Sequence, residues 1–547
     1  MNARGSAPTT SAALVLAGRS AAPGLAAGRI ARIAGPKVAA RAPSAAGDPA
    51  AEAARLAAAV AAALAALEAL AAAAEGDAAD ILAFQVAMLA DDALTEGAFA
   101  AVASGAPAET GWSAALDAEI EGYAAADDEY FRARAADLAD IRDRVLSRLS
   151  GAEDAPPPAG AILVGDDLTP SKFLAADWSA GGGIVLAAGS PASHVAMLAR
   201  ARGVPMVVGV GDVGAAADGA EALLDGDAGT LTLSPGDAEQ AAFHARRDAA
   251  AVAGAAAETL RFRPAVTADG EPVRVHVNLA DPEELAGLDP AQCDGVGLVR
   301  TEFLFHAGRG LPDEAAQLAV YRRILAWAAG RPVTFRTLDA GGDKPIPGLT
   351  IDGESNPFLG LRGLRLSLAY PDVFRTQLRA LCRAAVDGHA RVMLPMVTVP
   401  AELAAAAVML DSVVADLAAE NLPHRRPPLG IMVEVPAAAL AAESFAADFY
   451  SIGSNDLTQY TMAAARDVGA VAHLCDAGSP AVLRLVAATV EAAAARGVEV
   501  SLCGDAAADP ALVPLLLGAG LRSLSVAPVA VARTKAAIAG FSRHPPP

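Results

Sequence analysis

Between Pro49 and Leu149 apolar positions recur every three to four residues, and no run alternates as a strand does. That period predicts helices over 51–74, 77–94, 97–103, 110–126 and 128–149, joined by turns short enough for a helical bundle. By count alone, Leu56 to Ala74 is apolar enough for a membrane span. Leu56, Val60, Leu64, Leu67 and Leu70 nevertheless line one face, and Glu68 interrupts the run. An amphipathic bundle helix is the better reading, with no direct membrane insertion.

The flanking segments read differently. Residues 1–11 form a loose tail, and ALVLAGRSAAPGLAAGRIARI then reads as short strands around a Pro-Gly turn. After the bundle, three prolines in GAEDAPPPAG (151–160) end the helix. AILV (161–164), GIVLA (183–187) and MVVGVG (206–211) then alternate with helical stretches such as 194–201, an α/β layer. Strands from both flanks joined in one sheet would make the bundle an insertion.

An alanine-rich helix over about 237–258 leads into a third pattern. Eight apolar runs alternate with helices: 273–278, 295–299, 333–338, 392–397, 431–435, 449–454, 498–503 and 524–528. Eight β-α units in this length match a TIM (β/α)8 barrel, although an open sheet has the same pattern. The expected division is an α/β domain over 1–48 and 150–236, a helical domain over 49–149, a linker helix over 237–264 and a barrel over 265–540.

Charge and cysteine content narrow the function. Lys and Arg number 42 against 63 Asp and Glu, a net charge of −21, which argues against nucleic acid because phosphate backbones need a basic face. The four cysteines are widely spaced without a CxxC, which excludes a disulfide scaffold and the common zinc patterns. They suggest a reducing compartment, and the expected location is cytoplasmic.

A barrel places its chemistry at the carboxyl ends of its strands. Arg300 and Arg336 end the second and third runs, and Glu434 lies in the end of the fifth. Asn455 and Asp456 follow the sixth, and Cys503 closes the seventh. Arginine forks suit phosphate and carboxylate, and the two acidic groups suit Mg2+ shared with a phosphate. The site reads as one for a small, multiply charged phosphorylated acid. Separately, GSPASHVAMLARARG places His194 in a tight turn that opens a helix, with Ser193 as a cap. A lone histidine is more often structural, yet one on such a turn can be a nucleophile that carries phosphate.

Together these residues resemble Enzyme I of the bacterial phosphotransferase system, from about Gly18 to Lys535. The most specific stretch is DFYSIGSNDLTQY (448–460). GVGLVRTEFLF (295–305), RTLDAGGDK (336–344), NPFLGLRGLR (356–365), IMVEVPAAA (431–439) and LCGDAAAD (502–509) also match, as do DEYFRARAADLADI (128–141) and DLTPS (167–171). The resemblance implies a swivelling phosphohistidine α/β domain, an inserted helical domain that docks a carrier protein, and a dimerising barrel. It implies His194 as the phosphorylated histidine. Arg300, Arg336, Arg466 and Asn455 are implied as ligands of phosphoenolpyruvate, with Lys344 and Arg362 in the same pocket. Glu434 and Asp456 are implied as Mg2+ ligands, with Asp456 also at the substrate, and Cys503 as the acid that protonates the enolate.

The implied reaction moves phosphate from phosphoenolpyruvate to His194 and on to the phosphocarrier protein HPr, releasing pyruvate. Three departures stand out: Ser190 and Ala192 replace a glycine and a threonine of the family's histidine turn, Pro191 stiffens it, and Ala465-Arg466-Asp467-Val468 replaces an Asp-Arg-Gly-Asn run. Pyruvate phosphate dikinase and phosphoenolpyruvate synthase would need an ATP-binding domain for which this length has no room. A chain whose altered histidine turn makes it a non-catalytic, phosphoenolpyruvate-responsive relay is the alternative, and a binding-only protein has no use for Cys503.

Overall fold

A computed structural model describes residues 14–33, 48–73, 77–124, 129–151, 157–189, 193–305, 311–342, 346, 348–351, 354–465 and 471–543. The chain divides into two compact units, Met1–Ala250 and Ala251–Pro547, and the division falls inside the helix Asp237–Glu258.

The first unit holds strands β1 (Leu14–Ala17), β2 (Arg19–Ala22), β3 (Leu25–Arg32), β4 (Ile162–Gly165), β5 (Gly183–Leu186), β6 (Met206–Val208), β7 (Glu221–Asp225) and β8 (Thr230–Leu233). They form one sheet in the order β1-β8-β7-β3-β4-β5-β6-β2. Pro23 and Gly24 turn the chain between β2 and β3, with Gly24 at φ +124°. β3 pairs in parallel with β4, Ile30 opposite Ile162. The chain between them leaves the sheet and returns to the neighbouring strand, so the helices are an insertion. β7 and β8 were not foreseen. EALLD has no strand-like alternation, and its pairing with β3 on one side and β8 on the other decides its conformation.

The inserted helices are Pro49–Ala73, Asp77–Leu89, Asp92–Ala103, Ala108–Ala124 and Glu129–Ser150. The expected helix over 77–94 stops early because the Asp91 side chain accepts from Ala93 N and caps a new helix. Pro49–Ala73 is long and apolar enough by composition to cross a membrane. It packs as a bundle helix, burying Leu56, Ala59, Ala63 and Leu67 with Trp112, Leu116 and Leu138, while Glu68 stays exposed.

The second unit adds β9 (Ala265–Val266), β10 (Pro272–Leu279), β11 (Val296–Val299), β12 (Val333–Arg336), β13 (Ala390–Leu394), β14 (Leu429–Val433), β15 (Phe449–Gly453), β16 (Glu499–Cys503) and β17 (Ser523–Val526). β10 to β17 are parallel, each bonded to the next, and β17 and β11 both pair with β10, which closes an eight-stranded barrel. All eight expected strands are present. They are nearly continuous apolar runs because helices cover the outside while side chains fill the inside. Between strands, helices are cut cleanly. Ser479 caps Pro480–Arg496 at one end, and Gly497, left-handed at φ +67°, ends it.

Candidate active site

Four turns at the carboxyl ends of barrel strands supply most of the polar groups. Arg336 ends β12 with its side chain buried. Its guanidinium lies 3.0 Å from Asp339 Oδ2 and 3.1 Å from Glu302 Oε1, the latter on the turn after β11. Glu302 Oε1 also accepts from Asp339 N at 2.9 Å, so one carboxylate fixes both the turn and the arginine. Asp339, fully buried, serves a second guanidinium. Arg362 Nη2 lies 3.1 Å from Asp339 Oδ2 and 3.1 Å from Asp456 Oδ2, and Nη1 donates to Tyr460 Oη at 3.2 Å. Arg362 is itself 0% exposed. Charges this deeply buried persist only with close partners, and both arginines are held well above the usual guanidinium range by those carboxylates against burial.

Glu434 follows β14 and is 1% exposed. Its Oε1 accepts from Met396 N at 2.6 Å, and Met396 holds the left-handed conformation, φ +57°, that non-glycine residues seldom adopt. Burial pushes the Glu434 carboxyl up to about 8, helped by Asp456 and Asp339 and opposed by Arg336 and Arg362. Asp456 sits in the first turn of the helix Ser454–Met462, and its Oδ1 is buried with no hydrogen-bond partner. Asn455, one residue earlier, donates to Asp505 Oδ2 at 3.2 Å and accepts from Asp505 N at 3.0 Å. This tie brings the turns after β15 and β16 together. Gly504 makes the approach possible, since at φ +99° a Cβ there would lie 2.3 Å from Ser454 Oγ.

Cys503 ends β16 inside the barrel, among Leu298, Met393, Met432 and Phe449. Ser451 Oγ donates to its sulfur at 3.5 Å, and the thiol donates to Ile452 O at 3.6 Å. Burial pushes the thiol above its ordinary value. Glu434 adds to this, while Arg336 and Arg300 oppose it. The group is therefore a protonated thiol at neutral pH. Arg300 stands exposed at the end of β11, its amide bonded to Leu279 O at 2.9 Å. The structure thus gathers Arg336, Arg362, Glu434, Asp456, Asn455 and Cys503 at one rim. Lys344 and Arg466 lie outside the described residues.

His194 is in the other unit. It opens the helix His194–Arg202, which Ser193 caps by accepting from Ala196 N at 3.3 Å and Gly203 ends in the left-handed conformation. Its side chain, with Ser190, Pro191 and Ala192, is outside the described residues. The turn that leads to it follows β5 and is anchored on both sides, by Ala187 N to Gly165 O and by Gly211 N to Ala187 O.

The comparisons bear on the whole chain. Residues 255–543 match the family described as PEP-utilising enzyme, PEP-binding domain, 17–134 match the PEP-utilising enzyme N-terminal family, and 157–229 match the PEP-utilising enzyme mobile domain. The chain is 43% identical over 467 residues to a phosphoenolpyruvate-protein phosphotransferase of Haloferax volcanii, which covers 83% of this chain and 80% of that protein. The namesake of Lactococcus lactis subsp. cremoris is 39% identical over 419 residues, 75% of this chain and 73% of that one. A multiphosphoryl transfer protein of Rhodobacter capsulatus is 40% identical over 461 residues, 82% of this chain and 54% of that one. The chain belongs to the phosphoenolpyruvate–protein phosphotransferases, the Enzyme I family. It is an enzyme of phosphoenolpyruvate-dependent phosphoryl transfer in the phosphotransferase system.

PEP-utilising enzymes use a metal ion, and the buried charges of this Enzyme I suit one. Glu302, Asp339, Glu434 and Asp456 set four carboxylates against the guanidiniums of Arg336 and Arg362, with one Asp456 oxygen left unbonded. Among the described residues no group of three or more His, Cys, Asp or Glu is placed to hold an ion unaided, so oxygens from water or substrate would have to complete such a site. Sequence reasoning did not single out Glu302, Asp339, Met396 or Tyr460. Each lies in or beside a stretch already marked by its strand end, and the rule that chemistry follows barrel strands would have found the first two. The Met396 contribution is a backbone N–H, which carries no residue signature.

Proposed function

We propose that this enzyme transfers phosphate from phosphoenolpyruvate to His194 and from there to HPr, with Mg2+ as the metal. The observation that carries the reading is the rim where Arg336, Arg362, Glu434, Asp456 and Cys503 converge within one barrel mouth. Arg300, Arg336 and Asn455 take the substrate's phosphate and carboxylate, joined by Lys344, Arg362 and Arg466. Glu434 and Asp456 would hold the metal, which would supply positive charge against the phosphate. Neutral His194 attacks phosphorus in line through Nε2. The N–P bond forms as the P–O bond to the enol oxygen breaks, leaving enolpyruvate. Cys503 then gives its proton to the methylene carbon, yielding pyruvate. A thiol raised by burial holds that proton at neutral pH. Fixed charges around a substrate that needs little rearrangement supply most of the rate.

The second half-reaction needs His194 to meet a carrier histidine, and the helical insert is the docking element in this reading. A homodimer through the barrel and a cytoplasmic location belong to the same proposal. The test is mass spectrometry after incubation with phosphoenolpyruvate and Mg2+, on wild type and His194→Ala. An acid-labile phosphate on wild type alone, with pyruvate released, is expected. Ligand binding without phosphate on either protein overturns the reading in favour of a phosphoenolpyruvate-responsive relay.

A further inference from the structure

A second buried polar cluster lies far in sequence from the barrel rim, where the helical insert joins the α/β domain. Asp140, on the inserted helix Glu129–Ser150, is 2% exposed and reaches into the short helix Pro170–Ala175. Its Oδ1 accepts from Ser171 Oγ at 2.6 Å, and its Oδ2 accepts from Ser171 N at 3.2 Å. Gln85, on another inserted helix, donates through Nε2 to Asp140 Oδ2 and to Asp137 Oδ1, both at 3.3 Å. The helix Pro170–Ala175 needs this outside partner, because its own N-cap residue Thr169 makes no side-chain cap. A carboxylate from the insert therefore caps a helix of the α/β domain.

That capped helix leads to the candidate phosphate carrier. Phe173, two residues after Ser171, is buried with Val195, Leu198 and Ala199 of the helix that His194 opens. The Arg202 guanidinium of that helix stands 5.6 Å from the Phe173 ring centre. The segment after β4 also borders the turn before His194, through Ala187 N to Gly165 O at 2.9 Å and Ala188 N to Asp166 O at 3.3 Å. Buried apolar surface alone would let the insert slide over the domain. A charged, bidentate contact is directional and fixes one register.

We infer that Asp140 and Ser171 are positioning residues that couple the orientation of the helical insert to the helix bearing His194. They thereby set the geometry in which phospho-His194 meets a carrier docked on the insert. The role in transfer rests on the function proposed above, whereas the mechanical coupling stands on these contacts alone.

Two measurements on the full chain test it, with Ser171→Ala and the isosteric Asp140→Asn. In hydrogen exchange, both variants should speed amides in 195–202 by about fivefold or more, along with those of Pro170–Ala175, while barrel amides stay unchanged. Faster exchange confined to Pro170–Ala175 overturns the coupling. In rapid-quench kinetics with labelled phosphoenolpyruvate, Mg2+ and purified HPr, transfer from the protein to HPr should slow about tenfold more than phosphorylation of the protein, as expected for losing one buried charge-assisted hydrogen bond. Equal slowing of the two steps overturns the positioning role. A wild type that takes up no phosphate on His194 refutes the function proposed above, and the exchange experiment then decides the inference by itself.

Discussion

Asp339 is the residue on which the rim's charges depend most. It lies between Arg336 and Arg362, buried from solvent, and its amide is fixed by Glu302. Replacing it by Asn keeps the volume but leaves two buried guanidiniums short of a countercharge. Breaking a buried pair costs about 3–5 kcal/mol, so Asp339→Asn should lower stability by roughly that much in urea unfolding and slow pyruvate release about a hundredfold or more. Unchanged turnover would mean that the two arginines are held in place by other contacts. Glu434 gives a prediction with a sign that pH reveals. A carboxyl raised from 4.5 to about 8 favours the folded state below pH 4.5, and that advantage is lost as pH rises towards 8. In chelator, Glu434→Gln should therefore gain stability over wild type by a few kcal/mol between pH 5 and pH 8. Mg2+ added together with phosphoenolpyruvate should stabilise wild type more than the variant. A difference that does not change with pH would show that Glu434 ionises as freely as in the unfolded chain.

The strands and helices were the most legible part of the sequence. Parallel barrel strands are apolar on both faces, so runs such as IMVEV and FYSIG stand out from the helices between them. Legibility failed where an element depends on a distant partner. EALLD becomes β7 only through β3 and β8, and the helix expected over 77–94 breaks because a single aspartate caps its neighbour. The site was read as single residues at strand ends, which marked Arg336, Glu434 and Asp456 but not Glu302 or Asp339, and Arg362 came only with the family resemblance. That reading did not find the bonds among them, because Asp339 is defined by two arginines 3 and 23 positions away, which only folding brings together. His276 was not read at all, since a histidine inside a strand looks like any polar residue. In β10 it is buried in the barrel interior, 3.3 Å from Ser523 Oγ. Burial pushes it down to about 4, with Arg391 and Arg274 lowering it further against Asp294 and Glu499. The unfolded chain takes up a proton near pH 6.5 and the folded strand does not, so this stability is present above pH 6.5 and is lost as pH falls towards 4. Wild type should lose up to about 3 kcal/mol more than His276→Asn over that interval, measured by urea unfolding at each pH. Parallel stability curves would refute the assignment.

Across the whole chain, the proposed reaction draws its groups from two units. Every described group at the rim comes from β11 to β16 or the segments that follow them, all in Ala251–Pro547, whereas the helix opened by His194 belongs to Met1–Ala250. Binding and transfer should then be separable by a single substitution. In the reading proposed here the phosphate and carboxylate of phosphoenolpyruvate are held by barrel residues alone, and the imidazole enters only as the acceptor of phosphorus. His194→Ala should therefore bind phosphoenolpyruvate with Mg2+ at an affinity within about twofold of wild type in calorimetry, a difference under half a kcal/mol, while releasing no pyruvate. The same titration on Glu434→Gln should lose the Mg2+ dependence of binding and leave His194 chemically intact. If His194→Ala instead weakened binding about tenfold or more, roughly 1.4 kcal/mol, the histidine would contribute to holding the substrate. The nucleophile would then be part of the binding site before the reaction begins. The residue that accepts phosphate and the residues that position it would no longer be separable by unit.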